Sequence, residues 1–167
     1  MWLESGSLRL HLVRAEDDSE FRIVQERLPE WYHLSEKVLY AQNMPDRMTF
    51  KIQYEGKTVG AAELLNIRWY NHKAEIRFWL LPEARGKGLA KTALELLMDL
   101  AFNTLNLHRL EAEVYDYNSK AQKLVEKLGF RKEGTLREAK FYNGTYHDII
   151  RYGILRQEFL NSHPTKG

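Results

Sequence analysis

Residues 8–13, LRLHLV, alternate apolar and polar side chains, the two-residue period of a strand with one buried face. A polar helix is predicted from about Asp17 to Leu28, stopped by Pro29, and a second short helix from Trp31 to Asn43. MTFKIQYEGKTVGAAELLNI reads as two strands joined by a turn at Glu55-Gly56, and KAEIRFWLL, residues 73–81, as a third. Beyond it, Leu89, Ala93, Leu96, Leu97, Leu100 and Ala101 recur at the spacing of one buried helix face. LHRLEAEVYDY, residues 107–117, is again strand-like. Asn118 then suits a helix N-cap, Ala121, Leu124, Val125 and Leu128 a buried stripe, and Gly129 a helix stop. In FYNGTYHDIIRYGILRQEF an Asn143-Gly144 turn separates two strand-like runs, the signal of a closing hairpin. The order implies an α/β chain with a mixed sheet, and the tail 161–167, NSHPTKG, is expected to be loose.

Composition narrows the class. At 167 residues the chain fits a single domain over 1–167 with a real core. A net charge of +2 gives no electrostatic case for a nucleic-acid partner, so an RNA- or ribosome-binding role is disfavoured. With no cysteine, disulfides, thiolate metal sites and a cysteine acyl-enzyme are excluded. No histidine pair has metal-ligand spacing, so no metal is expected. The opening MWLESGSLRLHL lacks the charged-then-apolar pattern of a secretory signal, and no apolar run is long enough to span a bilayer; a cytoplasmic protein with no membrane partner is expected.

The candidate chemistry lies at LPEARGKGLAKTAL, residues 81–94, where a strand runs into a helix through two glycines and two cations, with no acid after Glu83. Unpaired N–H groups and the dipole at a helix start favour an anion. Gly86 and Gly88 let the backbone approach a ligand, and Arg85, Lys87 and Lys91 add positive charge. A P-loop is excluded because Lys91-Thr92 follows Ala90 and Gly86 is one residue too close. A dinucleotide fingerprint is excluded because its third glycine falls on Lys91.

Arg85-Gly86-Lys87-Gly88-Leu89-Ala90 resembles the pyrophosphate-binding loop of the GNAT acetyltransferases. Asn118, Ala121, Leu124 and Gly129-Phe130 resemble that superfamily's second block. The two ends, LRLHLVRAEDD and YNGTYHDIIRYGILRQEF, resemble the branch of ribosomal-protein N-terminal and spermidine acetyltransferases. The resemblance implies a GNAT fold: a twisted, mostly antiparallel sheet in which strands 73–81 and 107–115 run parallel and splay into a V. It implies acetyl-CoA as the acetyl donor, its pantetheine along Phe78, Trp79 and Leu80 and its pyrophosphate on residues 85–90. Asn118 would meet the pantetheine or thioester end and Lys120 a phosphate.

An amine that attacks a thioester must be neutral. Deprotonating a lysine-like or polyamine-like amine at pH 7 costs roughly 4.6 kcal/mol, an α-amino group about 1 kcal/mol, so a carboxylate base would help either. Glu113 matches the base position proposed for N-terminal acetyltransferases, and Glu75 matches a glutamate of the spermidine enzymes. Where many relatives carry a tyrosine as acid for the leaving thiolate, this chain has Val125, and where others carry serine it has Ala121; Tyr115, Tyr117, Tyr142 or water are the alternatives. His147 is read as a structural hydrogen-bonding group. The expected activity is N-acetylation of a primary amine, on a protein N-terminus or small molecule, by direct attack in a ternary complex. The alternatives are a polyamine or amino-sugar acetyltransferase, with Glu26, Glu30 and Glu36 as candidate acids for a polyamine, or a degenerate CoA-binding module. A homodimer is plausible through sheet edges.

Overall fold

A computed structural model describes residues 2–13, 19–26, 44–69 and 71–163. These residues form an eight-stranded sheet in the order β1-β2-β3-β4-β5-β6-β8-β7. The strands are β1 (Trp2–Ser5), β2 (Leu8–Leu12), β3 (Met48–Tyr54), β4 (Lys57–Arg68), β5 (Lys73–Leu80), β6 (Arg109–Tyr115), β7 (Arg131–Tyr142) and β8 (Thr145–Leu155). The helices are α1 (Ser19–Glu26), α2 (Leu89–Asp99), α3 (Ser119–Lys127) and α4 (Arg156–Ser162).

The hairpins form where turn chemistry predicts them. Glu55 and Gly56 have φ of 50° and 76°, Asn143 and Gly144 of 52° and 81°, the left-handed pairs that a tight hairpin needs. α2 buries Leu89, Ala93, Leu94, Leu97 and Met98, and five further residues, Leu100–Thr104, continue as a wider π turn that buries Phe102 completely. These side chains share one cluster with Phe50, Ile52 and Leu64 of the central strands. Burying a side chain of this size contributes about 1.5–3 kcal/mol each, so the cluster fixes α2 against the sheet and with it the loop that precedes α2.

Only β5 and β6 pair in parallel among the described strands, and only over three rungs: Lys73 with Arg109, Ala74 with Leu110 and Glu75 with Glu111. Beyond Glu75 the two strands part. β5 continues on β4 to Leu80, and β6 continues on β8 to Tyr115, so each arm of the V is held by its outer neighbour.

Several boundaries differ from the sequence reading. β1 and α4 were not predicted, and β7 begins at Arg131, ten residues before the expected hairpin. The chain from Arg156 turns helical instead of extending the last strand, and Asn161 and Ser162 of the expected loose tail belong to that helix. Phe159, 3% exposed and 5.1 Å from the Phe102 ring, anchors it. The helix expected over Trp31–Asn43 lies outside the described residues, as do Glu30 and Glu36.

Candidate active site

The β5–α2 connection is set by backbone conformation. Gly86 and Gly88 have φ of 79° and 75°, and a Cβ at either would meet nothing within 4 Å. The glycines are therefore required for the left-handed turns, a geometry that side chains resist. Gly88 caps α2, whose first turn has no acidic side chain, and the Gly88 carbonyl accepts from Thr92 N–H at 3.3 Å. The first N–H groups of α2 have no partner within the helix and stand at the positive end of its dipole. Arg85 Nε donates to the Leu80 carbonyl at 3.1 Å and clamps the loop to the end of β5.

In front of this loop lies an open groove of about 660 Å³ between α2 and α3. Of the sequence-predicted residues, Phe78, Leu80, Arg85, Gly86, Gly88, Leu89, Ala90, Asn118 and Lys120 line it. Trp79 and Lys87 do not. The Leu81 N–H donates to Val59 at 2.8 Å, and strand alternation then turns the backbone groups of Trp79 toward β4 and those of Phe78 and Leu80 toward the gap. The Trp79 ring lies 6.2 Å from Phe21 of α1. The Lys87 ammonium sits 5.5 Å above the Tyr54 ring, away from the groove.

The sequence reading also missed part of the wall. Lys123 and Lys127 join Lys120 along the groove, facing Lys91 of α2, which the sequence had already offered as a cation of this loop. The spacing of Lys120, Lys123 and Lys127 places them on one helical face, a signal present in the sequence. Asn118 Oδ1 accepts from the Ala121 N–H at 3.1 Å, so its predicted capping role is observed in a residue that also borders the groove.

At Phe78 the groove meets a second cavity, about 150 Å³, in the cleft of the V. Glu75, Glu113, Tyr115 and Val125 line it, which brings both predicted carboxylates together. Asn66 Nδ2 donates to Glu75 Oε2 at 3.2 Å. Asn66 has φ of 49° and lies in an irregular stretch of the β4–β5 ladder, between Leu65 and Arg68. Arg151 of β8 places Nε 3.6 Å from Glu113 Oε1 and Nη2 3.5 Å from Glu111 Oε2. Asn66 and Arg151 had no motif to reveal them.

Burial pushes the Glu75 carboxyl up to about 7, the negative charge of Glu113 pushes the same way, and the Asn66 hydrogen bond opposes both. An ordinary glutamate, at 4.5, ionises first in the unfolded chain. Between 4.5 and 7 the folded state thus holds a proton that the unfolded state has lost, and stability falls as pH rises through that window. Above it the penalty levels off at about 3 kcal/mol. Glu75→Gln is expected to raise the melting temperature at pH 8 by several degrees and to leave it nearly unchanged at pH 4, in paired thermal melts.

Tyr115 of the cavity wall stacks on Tyr117 at 5.4 Å and Tyr117 on Tyr142 at 5.0 Å, with the Lys140 ammonium 5.0 Å over the Tyr115 ring. His147 bridges Asp116 Oδ1 at 3.0 Å and Thr145 Oγ1 at 2.9 Å, the structural hydrogen-bonding role expected of it. Trp69 donates to the Pro45 carbonyl at 2.7 Å. Among the described residues no group of three or more acidic, histidine or cysteine side chains is arranged to hold a metal ion, and no helix is long and apolar enough to cross a membrane.

Residues 10–150 match the family model of the acetyltransferase (GNAT) domain. The chain belongs to the GNAT acetyltransferases. This GNAT chain is 37% identical over 131 residues to the spermidine N(1)-acetyltransferase of Escherichia coli K12, covering 77% of this chain and 70% of that one. It is 35% identical over 106 residues to the putative ribosomal N-acetyltransferase YdaF of Bacillus subtilis, covering 64% and 58%. A structure of the Vibrio cholerae spermidine N-acetyltransferase in complex with CoA and spermine superposes with a TM-score of 0.67 at 36% identity, over 70% of this chain and 69% of that one. The protein is an N-acetyltransferase of a family that uses acetyl-CoA, and its splayed eight-strand sheet is the GNAT fold.

Proposed function

We propose that this protein moves the acetyl group of acetyl-CoA to a primary amine of a polyamine-like cation, by direct attack in a ternary complex. The observation that carries this reading is the shared wall at Phe78: an anion-suited groove lies on one side of it and a cavity lined by two carboxylates on the other. The pyrophosphate rests on the amides of residues 85–90, and the lysines of α3 face the remaining phosphates. Pantetheine lies along the backbone groups of Phe78 and Leu80 that face the gap, and its thioester reaches the carboxylate cavity. There Glu113 takes the amine's proton, and a backbone N–H of the splayed β5 supports the oxyanion.

The acceptor reading rests on the tyrosines and on the relatives. The Tyr115 ring, 5.0 Å from the Lys140 ammonium, stands with Tyr117 and Tyr142 in an aromatic group that suits alkylammonium, the group a polyamine repeats along its length, and so supports this acceptor class. The 37% identity to a spermidine N(1)-acetyltransferase supports the same class. A protein N-terminus is the second reading, favoured by the likeness to YdaF. The domain is taken to be the whole of residues 1–167. Homodimer formation is supported by the long strand β7, which is an outer strand of the sheet among the described residues.

Thiol release from acetyl-CoA, measured with spermidine, spermine, an amino sugar and short peptides, tests the reading. Turnover confined to the polyamines is expected. Turnover confined to peptides would replace it with the second reading, and CoA binding in a calorimeter without turnover on any amine would leave a binding module. Replacing Lys120, Lys123 and Lys127 together by alanine is expected to weaken acetyl-CoA binding by about tenfold at low salt and to flatten its salt dependence, since exposed charges are screened within roughly 10 Å at 0.1 M.

A further inference from the structure

The wall of the cleft sorts its proton carriers. Among the residues lining the 150 Å³ cavity, Ile76, Phe78, Leu94, Ala112, Val114 and Val125 have no exchangeable side-chain proton. Arg77 is committed to Glu63, with Nε at 2.7 Å and Nη2 at 2.6 Å, and a guanidinium does not give up its proton. Glu75, Glu113 and Tyr115 remain. The two carboxylates stand in unlike surroundings. Glu113 faces the Arg151 guanidinium at 3.6 Å, which favours its ionised form. Glu75 meets the neutral amide of Asn66 from β4 and, from β6, the charges of Glu111 and Glu113; Arg151 on β8 is the cation that acts on it, more weakly than either Glu113 or Asn66. Two carboxylates this close do not both ionise readily, and their surroundings decide which one keeps the proton.

Building on the acetyl-transfer reading, we propose that these carboxylates divide the proton traffic, Glu113 taking a proton from the attacking nitrogen and Glu75 giving one to the departing sulfur of CoA. The acceptor ammonium first loses one proton to solvent. The neutral nitrogen then forms its bond to the thioester carbon, and the carbonyl electron pair moves to oxygen. As the C=O bond re-forms, the C–S bond breaks and its electrons stay on sulfur. Glu113 accepts the second nitrogen proton and the Glu75 carboxylic acid protonates the thiolate, so amide and free thiol leave together. One proton passing from Glu113 back to Glu75 resets the site. The cavity shared by the two side chains is the route.

The test is the pH dependence of kcat with acetyl-CoA and spermidine. The wild type is expected to lose rate as pH rises through about 7, where Glu75 ionises. Glu75→Gln is expected to lower the plateau ~10²–10³-fold and to abolish that limb, with acetyl-CoA binding by calorimetry within about twofold of wild type as the check on folding. Two milder variants move the limb in opposite directions. Asn66→Gly removes the hydrogen bond that favours the ionised form and shifts it to higher pH; Glu113→Gln removes the neighbouring charge and shifts the residual activity's limb to lower pH. Tyr115→Phe is expected to raise the KM for the amine and leave the limb in place. A limb that stays put in Glu75→Gln, or one that disappears in Tyr115→Phe instead, overturns the assignment. An enzyme that acetylates amines but gives either of those outcomes sinks this inference alone; one that neither binds acetyl-CoA nor acetylates any amine sinks the acetyl-transfer reading with it.

Discussion

Glu113→Gln is expected to lower kcat for amine acetylation by ~10²–10³-fold while acetyl-CoA binding stays within about twofold. Glutamine matches the shape of glutamate and fills the same place between Arg151 and the cavity, but it cannot accept a proton. The attacking nitrogen would then have to shed its proton to water inside a cleft of about 150 Å³. Arg151 does not become an orphan, because Glu111 remains 3.5 Å from its Nη2. The elements proposed to bind the donor line the groove and not the carboxylate cavity, so the donor's affinity is expected to be insulated from the change. Steady-state thiol release together with calorimetry separates the two quantities. A kcat within threefold of wild type would remove Glu113 from the chemistry and leave water or Glu75 as the base.

Gly60→Ala is expected to destabilise the fold by about 3 kcal/mol, at the upper end of what overpacking costs, a fall in melting temperature of roughly 6–12 °C for a domain of this size. A Cβ at Gly60 would stand 2.2 Å from the Trp79 carbonyl oxygen and 2.9 Å from Leu80 Cδ2. The first of these is backbone held by the β4–β5 ladder, so it cannot swing aside as a side chain would. β5 must move off β4, and β5 is a wall of both the groove and the cavity. Activity should therefore fall below what the unfolded fraction alone explains. A melting temperature within 2 °C of wild type, read by circular dichroism, would show that the strands yield more cheaply than this packing implies.

The site was legible to different depths. The loop at Arg85–Ala90 announces itself because helix starts and left-handed glycines are local properties, written within a few residues. The α3 cap at Asn118 is local in the same way, and both hairpin turns are as well. The lysine face of α3 was equally local and could have been read from its spacing. Trp79 stands apart from the groove lining for a reason of another kind. Adjacent strand residues point their backbone groups in opposite directions, and only the pairing of β5 with β4 decides which parity serves the ligand. The edge strand β1 and the helix α4 were missed because a few apolar residues fit strand or helix until a core such as Phe102 selects one.

The sequence by itself determined most of the elements and the anion-suited helix start, because each depends on contacts within a turn or two of chain, and its likeness to a family singled out the two candidate glutamates. The tertiary structure alone decided that Glu75 and Glu113 share a cavity, that burial and the Glu113 charge raise the Glu75 carboxyl while Arg151 stands against Glu113, and that β5 and β6 separate just beyond Glu75. Those facts arise from strands far apart in sequence being held side by side, and the free energy of a charge depends on what surrounds it in space rather than on its neighbours along the chain.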